Sequence, residues 1–196
     1  TSKASSFHFA PTERAKQNLL KENIDPKSIF VTGNTVIDSL FWVIKKIENN
    51  PKIKDSMKKT LSQYLDFNYE EQKIILITGH RRENFGTGFL EICMALKILA
   101  IKFTNLKFVY PVHLNPNVRE PVFKILHKIK NIYLIPPLEY NSFVYLLNKS
   151  YLIMTDSGGI QEEAPSLSKP IIVLRDFTER PEVIKLGGGI LVKRNK

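Results

Sequence analysis

His80, Arg81 and Arg82 follow directly on the apolar run Lys73–Thr78 (KIILIT) and Gly79. An imidazole and two guanidiniums at the carboxyl end of such a run hold phosphate oxygens well, through charge-assisted hydrogen bonds. The alternative is a solvated basic turn in which Arg82 pairs with Glu83. The position at a strand's carboxyl end favours the anion site. A second group is Asp156-Ser157-Gly158-Gly159-Ile160-Gln161-Glu162-Glu163. Glycines let a ligand approach the backbone closely. The first amides of the helix that follows lack partners and point at an incoming anion, with a dipole of the same sign. Ser157 adds a hydroxyl donor. Many turns contain Ser-Gly-Gly, so that triplet alone is a moderate signal. Glu162 and Glu163 project about 100° apart on a helix and do not share one job. One offsets the dipole and the other is free to accept hydrogen bonds, as acidic residues do from ribose in dinucleotide folds. The apolar positions that follow leave open which is which.

Three more loops belong with these. His113-Leu114-Asn115-Pro116 follows Lys107–Val112, and His113 either faces the same crevice or caps the next helix through a backbone contact. Pro136-Pro137-Leu138-Glu139-Tyr140 follows Asn131–Ile135 as a stiff turn whose peptide groups suit a base edge. Phe143, on the helix behind it, is a core residue more readily than a base contact. Arg175-Asp176-Phe177-Thr178-Glu179-Arg180-Pro181-Glu182 follows Pro170–Leu174. There Thr178 suits an N-cap and Pro181 a first helical turn. Arg180 points near the crevice, or forms a surface pair with Glu179 or Glu182 that is worth little.

These loops need a frame that brings them to one edge. Strands are expected at Lys73–Thr78, Lys107–Val112, Asn131–Ile135, Tyr151–Thr155, Pro170–Leu174 and Ile190–Val192. Helices are expected between them at Phe89–Phe103, Val118–Lys130, Ser142–Asn148, Gly159–Leu167 and Arg180–Leu186. Short apolar strands alternating with helices predict βαβ units, a parallel sheet covered on both faces and a doubly wound, Rossmann-like α/β fold. In such sheets ligands bind beyond the carboxyl ends of the strands. Before residue 73 the pattern is sparser. A helix is expected at Pro11–Glu22 with Thr12 to cap it, a strand at Ile29–Thr32 and helices at Thr35–Ile47 and Lys54–Tyr64. Residues 1–48 read as the tail of a preceding domain, 49–72 as a connector and 73–196 as the binding domain, lacking its end.

Composition narrows the function classes. The chain has 196 residues, 43% of them hydrophobic, enough for a sizeable core. No apolar run approaches the roughly 18–20 residues of a membrane helix. Thr1 to Phe9 has neither a long apolar stretch nor an initiator Met, and reads as a cut end rather than a signal peptide. The single cysteine, Cys93, excludes an internal disulfide framework and makes the cytosol the simplest compartment. A net charge of +10 raises nucleic acid as a partner, but the 22 Lys and 7 Arg are scattered along the chain. A nucleic-acid binder concentrates Arg and exposed aromatics in a patch. The 4 His show no metal-ligand spacing. Absence of a P-loop and of Gly-x-Gly-x-x-Gly argues against ATP transfer and nicotinamide cofactors.

Taken in order, the loops resemble one family closely. The blocks are His8–Glu13 (HFAPTE), Val31–Asp38 (VTGNTVID), Thr78–Asn84 (TGHRREN), Pro111–Val118 (PVHLNPNV), Thr155–Pro165 (TDSGGIQEEAP) and Arg175–Glu182 (RDFTERPE). The chain is similar over nearly its whole length to the non-hydrolysing UDP-N-acetylglucosamine 2-epimerases. The resemblance implies the C-terminal half of a glycosyltransferase-B-like pair of Rossmann domains, with UDP in the cleft. It implies interconversion of UDP-N-acetylglucosamine and UDP-N-acetylmannosamine by elimination of UDP, through a 2-acetamidoglucal, and re-addition. No cofactor or metal is implied, and a homodimer is expected of the full-length enzyme.

By position in these motifs, His80 is implied to contact the diphosphate. Ser157, Gly158 and Gly159 are implied to hold phosphate oxygens, Glu163 the ribose hydroxyls, and Arg180 phosphate or sugar. Leu138 and Phe143 match the segment that lines the uracil. Arg81 and His113 match positions that reach a second, regulatory UDP-sugar in some members. The carboxylates for proton transfer at C2 are expected in a domain ahead of Thr1. The isolated chain is then expected to bind UDP weakly and not to epimerise the UDP-sugar. A UDP-sugar glycosyltransferase is the rival enzyme reading, and a UDP-binding module without catalysis is the non-enzyme one.

Overall fold

The structure is a computed structural model and describes residues 2–192. The chain forms two compact units, Thr1–Trp42 and Val43–Lys196. The first contains β1 (His8–Ala10), α1 (Glu13–Lys21), β2 (Ile29–Val31) and the start of α2 (Thr35–Glu48). β1 and β2 pair in parallel, His8 opposite Ile29. Thr12 caps α1 by accepting from the Ala15 amide at 3.1 Å, so the helix begins after Pro11. β1 was not expected from the sequence. At three residues it is too short to show a period, and its pairing with β2 defines it.

The second unit holds a six-stranded parallel sheet. Its strands are β3 (Ile74–Thr78), β4 (Lys107–Pro111), β5 (Ile132–Ile135), β6 (Leu152–Thr155), β7 (Ile171–Val173) and β8 (Gly189–Leu191). The spatial order is β5-β4-β3-β6-β7-β8. The chain therefore starts mid-sheet, winds outward, returns to the centre and winds the other way, which is the doubly wound Rossmann order. Helices α4 (Thr87–Lys102), α5 (Pro116–Leu126), α6 (Tyr140–Lys149), α7 (Ile160–Ser166) and α8 (Pro181–Lys185) make the connections.

β3 shows why the sheet is buried on both sides. Ile75 and Ile77 join a cluster with Phe89, Cys93, Leu96 and Ala100 of α4 and Val118, Val122 and Leu126 of α5. Ile74 and Leu76 point the other way, toward the face where α6 packs, and are also buried. Each fully buried Ile or Leu contributes roughly 1.5–3 kcal/mol. A strand covered on both faces reads as an unbroken apolar run, and KIILIT is one.

Residues 49–72, read as a connector, are fastened to this unit. Asn50 caps α3 (Pro51–Ser62) by accepting from Lys52 and Ile53 amides, with Pro51 in the first turn. α3 packs on α6. Glu70 accepts from Tyr145 Oη at 3.1 Å and Lys149 Nζ at 2.6 Å, and Leu61, Leu65 and Tyr69 are buried.

Several boundaries differ from expectation. α5 begins at Pro116 because Asn115 caps it, accepting from the Asn117 amide at 3.0 Å. α6 begins at Tyr140, immediately after the Pro-Pro turn. Thr178 does not cap α8, whose N-cap is Arg180. The Thr178 hydroxyl instead accepts from the Arg180 amide at 3.0 Å and donates to Gln161 Oε1.

Candidate functional site

The strand order reverses between β3 and β6, so the loops that leave them diverge and open a crevice. The two strands end in register, Thr78 opposite Thr155, with their hydroxyls 2.6 Å apart. Gly79 comes next on one side and Asp156 on the other. The Gly79 carbonyl accepts from buried Tyr110 Oη at 2.9 Å, and a Cβ at Gly79 would lie 3.0 Å from that oxygen. A side chain there would have to push the Tyr110 hydroxyl back by a few tenths of an ångström.

Asp156 has no exposed surface. Its carboxylate accepts from the His80 amide at 3.2 and 3.0 Å, the Arg81 amide at 2.9 Å and Asn84 Nδ2 at 3.1 Å. His80 Nδ1 lies 3.8 Å from Asp156 Oδ1. The His80 ring stacks on His113 with centroids 5.4 Å apart and planes 15° from parallel. His113 Nδ1 accepts from the Asn115 amide at 3.1 Å. His113 therefore faces the crevice and also accepts from the backbone of the turn before α5, but the cap of α5 itself is Asn115.

Around these rings lies a cleft of about 250 Å³, lined by Thr78, Gly79, His80, Pro111, His113, Pro137, Leu138, Phe143, Ser157 and Ile160. One wall carries imidazole and hydroxyl groups. The other is apolar, and half-buried Phe143 contributes to it, so this aromatic does more than fill the core. A polar wall facing an apolar one suits a ligand with a charged part and a flat part. Arg81, Gly158, Gly159, Glu163 and Arg180 are not among the residues that line the cleft.

Beside the cleft the loops carry a network of charges. Arg175, buried at the end of β7, donates to Glu83 Oε1 at 2.7 Å and to Glu179 Oε2 at 2.5 Å. Glu179 also faces Arg81 at 3.4 Å. Burial pushes the Glu179 carboxyl up, but its own backbone amide, Arg175 and Arg81 outweigh that and hold it below its ordinary value. Gly158 fits against this pair, since a Cβ there would be 2.7 Å from Glu179 Oε1 and 3.3 Å from Arg81 Nη2. Arg82 is exposed, and Glu83 pairs with Arg175 instead of with it.

The adjacent carboxylates part company. Glu162 is bonded to Arg180 Nε, a pairing the sequence reading did not weigh. Glu163 is 7% exposed, and burial, then the charge of Glu162, raises its pKa. Its side chain makes no hydrogen bond or ion pair among the described residues. Ser157 donates its amide to Thr155 Oγ1 at 2.9 Å, which leaves its hydroxyl on the cleft wall.

Asp156, Asn84 and Arg175 were not singled out from sequence. Their signal is a charged or amide residue in a loop that is buried only because other loops converge on it. Cys93 carries no nucleophile chemistry at neutral pH, since burial pushes its thiol up to about 12. Among the described residues no cluster of three or more His, Cys, Asp or Glu could hold a metal ion, and no helix is long and apolar enough to cross a membrane.

Comparison with known proteins gives the family. The sequence profile described as UDP-N-acetylglucosamine 2-epimerase matches residues 1–196. A UDP-N-acetylglucosamine 2-epimerase of Campylobacter jejuni is 55% identical over 182 residues, 93% of this chain and 47% of that protein. One of Yersinia pestis is 56% identical over 189 residues, 96% of this chain and 49% of that protein. Among solved structures, the Neisseria meningitidis enzyme bound to UDP-GlcNAc superposes with a TM-score of 0.91 at 50% identity, covering 98% of this chain and 51% of that one. The Methanocaldococcus jannaschii enzyme in complex with UDP-GlcNAc and UDP superposes with a TM-score of 0.79 at 35% identity, covering 96% of this chain and 51% of that one. The chain spans about half the length of the curated relatives it matches.

Proposed function

Because this chain belongs to the UDP-N-acetylglucosamine 2-epimerase family, we propose that it supplies the UDP site of an enzyme that interconverts UDP-N-acetylglucosamine and UDP-N-acetylmannosamine. The observation that carries the reading is the meeting of His80 and Ser157 with Leu138 and Phe143 around one cleft at the sheet's switch point. His80 and the Ser157 hydroxyl donate to the diphosphate, and Gly158 and Gly159 let it come close to the backbone. Leu138 and Phe143 take the flat face of the uracil. Among the described residues Glu163 has no competing cation, and it accepts from the ribose hydroxyls, while Glu162 is occupied by Arg180. Arg180 then reaches phosphate or sugar by exchanging its carboxylate partner for the ligand.

These donors also serve the chemistry. Breaking the bond between sugar C1 and the diphosphate oxygen puts negative charge on departing UDP and leaves a 2-acetamidoglucal. Preorganised donors stabilise that charge more than they stabilise bound substrate, so they lower the barrier as well as bind. A sugar C–H is a weak acid, and its removal at C2 needs a positioned base. On this reading the base comes from a partnering domain, the full-length enzyme is a cytoplasmic homodimer, and this chain by itself binds UDP without turnover. On the same reading His113 and Arg81 reach a second UDP-sugar; the stacking of His113 on His80 and the pairing of Arg81 with Glu179 put both beside the residues already named.

Calorimetry of UDP binding tests the site. The parent chain is expected to bind saturably and a Ser157→Ala, Glu163→Ala variant to lose that binding. A folded parent that takes up no UDP would show that this chain does not supply the site.

A further inference from the structure

We infer that Asp156 is a positioning residue, the side chain that fixes where His80 stands relative to Ser157. The inference rests on the reading that His80 meets the diphosphate. A carboxylate with no exposed surface is costly unless its lone pairs are filled. Here, among the described residues, the hydrogen bonds to it all come from one loop. The His80 amide spans both oxygens at 3.2 and 3.0 Å, while the Arg81 amide at 2.9 Å and Asn84 Nδ2 at 3.1 Å share Oδ2. Among the described residues no Lys or Arg pairs with Asp156; its ion-pair partner, when protonated, is the His80 ring, with Nδ1 3.8 Å from Oδ1.

The consequence is geometric. The ring edge that carries Nδ1 is turned to Asp156, so the edge that carries Nε2 is turned away from it. Asp156 also directly precedes Ser157, whose amide is tied to Thr155 Oγ1 at 2.9 Å. The two side chains proposed to donate to phosphate are thus referenced to adjacent residues at the end of β6. A donor displaced by a fraction of an ångström loses much of its effect on developing charge. Asparagine has nearly the shape of aspartate but replaces one acceptor by an NH₂ group, which must face N–H donors here.

Asp156→Asn tests this in the 196-residue chain. The His80 and Arg81 amides should exchange with solvent about tenfold faster, as expected for loss of a hydrogen bond to a charged group. The His80 ring resonances should shift, while the core amides of Leu76 and Val109 stay as protected as in the parent. UDP affinity should fall about tenfold, and the same substitution made on a His80→Ala background should cost little more, because the two residues act as one unit. Equal losses in both backgrounds would mark a general structural role and overturn the assignment. Unchanged exchange and ring signals would overturn it too, whether or not UDP binds. A parent that does not bind UDP would sink the nucleotide reading and leave exchange and ring signals to decide this one. If Asp156→Asn does not fold, Asn84→Ala removes one of the donors and should show the same amide changes in smaller degree; no change there would also overturn the assignment.

Discussion

The Arg180 guanidinium is bonded to the carboxylate of Glu162, and neighbouring Glu163 keeps a buried carboxyl with no ion pair among the described residues. Glu162→Gln separates their roles. It removes one of the two causes that raise the Glu163 pKa, so the midpoint of Glu163 should fall, as read by carbon NMR of its carboxyl. It also releases Arg180, and UDP binding should tighten by roughly threefold, the scale of a partly exposed ion pair. Weaker UDP binding in the variant would mean that Glu162, not Glu163, holds the ligand.

Glu163 should make stability depend on pH. Folded Glu163 keeps its proton to higher pH than its ordinary value of 4.5. The stability it contributes is full below that value and is lost as pH rises through the raised folded value. Glu163→Gln carries no such loss. Its Tm should exceed the parent's by about 2 °C at pH 7, and the two should converge as pH falls below the ordinary value. The same variant should bind UDP more weakly, which would identify the cost as one kept for function. A parent as stable as the variant at pH 7 would contradict the argument.

Arg175 anchors two carboxylates from different loops, Glu83 and Glu179. Arg175→Met keeps much of the buried volume and removes the cation. Breaking a buried pair is costly, but these carboxylates are about a third exposed, so the expected loss is about 1–3 kcal/mol. Urea unfolding should show it as a lower midpoint at unchanged slope. Glu179 is held below its ordinary pKa, so its contribution is present at neutral pH and lost as pH falls through the folded value. The gap between parent and variant should therefore narrow on acidification. A gap that persists at low pH would point to packing instead of charge.

Gly158 and Gly159 should respond differently to alanine. At Gly158 a Cβ meets Glu179 Oε1 at 2.7 Å, so Gly158→Ala must displace Glu179 from Arg81 or Arg175. It should cost stability by about 1 kcal/mol, since the displaced atom ends a flexible side chain. At Gly159 the nearest atom is 4.0 Å away and φ is −64°, so alanine fits without strain. Gly159→Ala should leave thermal unfolding unchanged and still weaken UDP binding, because the methyl group intrudes where phosphate approaches. Unimpaired binding in Gly159→Ala would move the phosphate elsewhere.

Much of this protein is determined by its sequence alone. The run KIILIT, bounded by polar residues and glycine, admits little but a strand covered on both faces, and its alternation with helical patterns leads to a parallel sheet. His80 and Ser157 could be nominated because strand ends and helix starts are local features, whereas Phe143 reads as core and is nominated only through the family resemblance. Tertiary structure decided what residues far apart in the chain do to each other. Whether Glu162 or Glu163 stays unpaired depends on Arg180, which reaches α7 from beyond β7. Asp156 looks like any loop aspartate until His80, Arg81 and Asn84 close over it from across β3. β1 and the early start of α5 escaped notice because they rest on one parallel pairing and one capping side chain. Local sequence sets conformational preference and burial pattern; the partner of a charge is set by which loops the fold brings to the same edge.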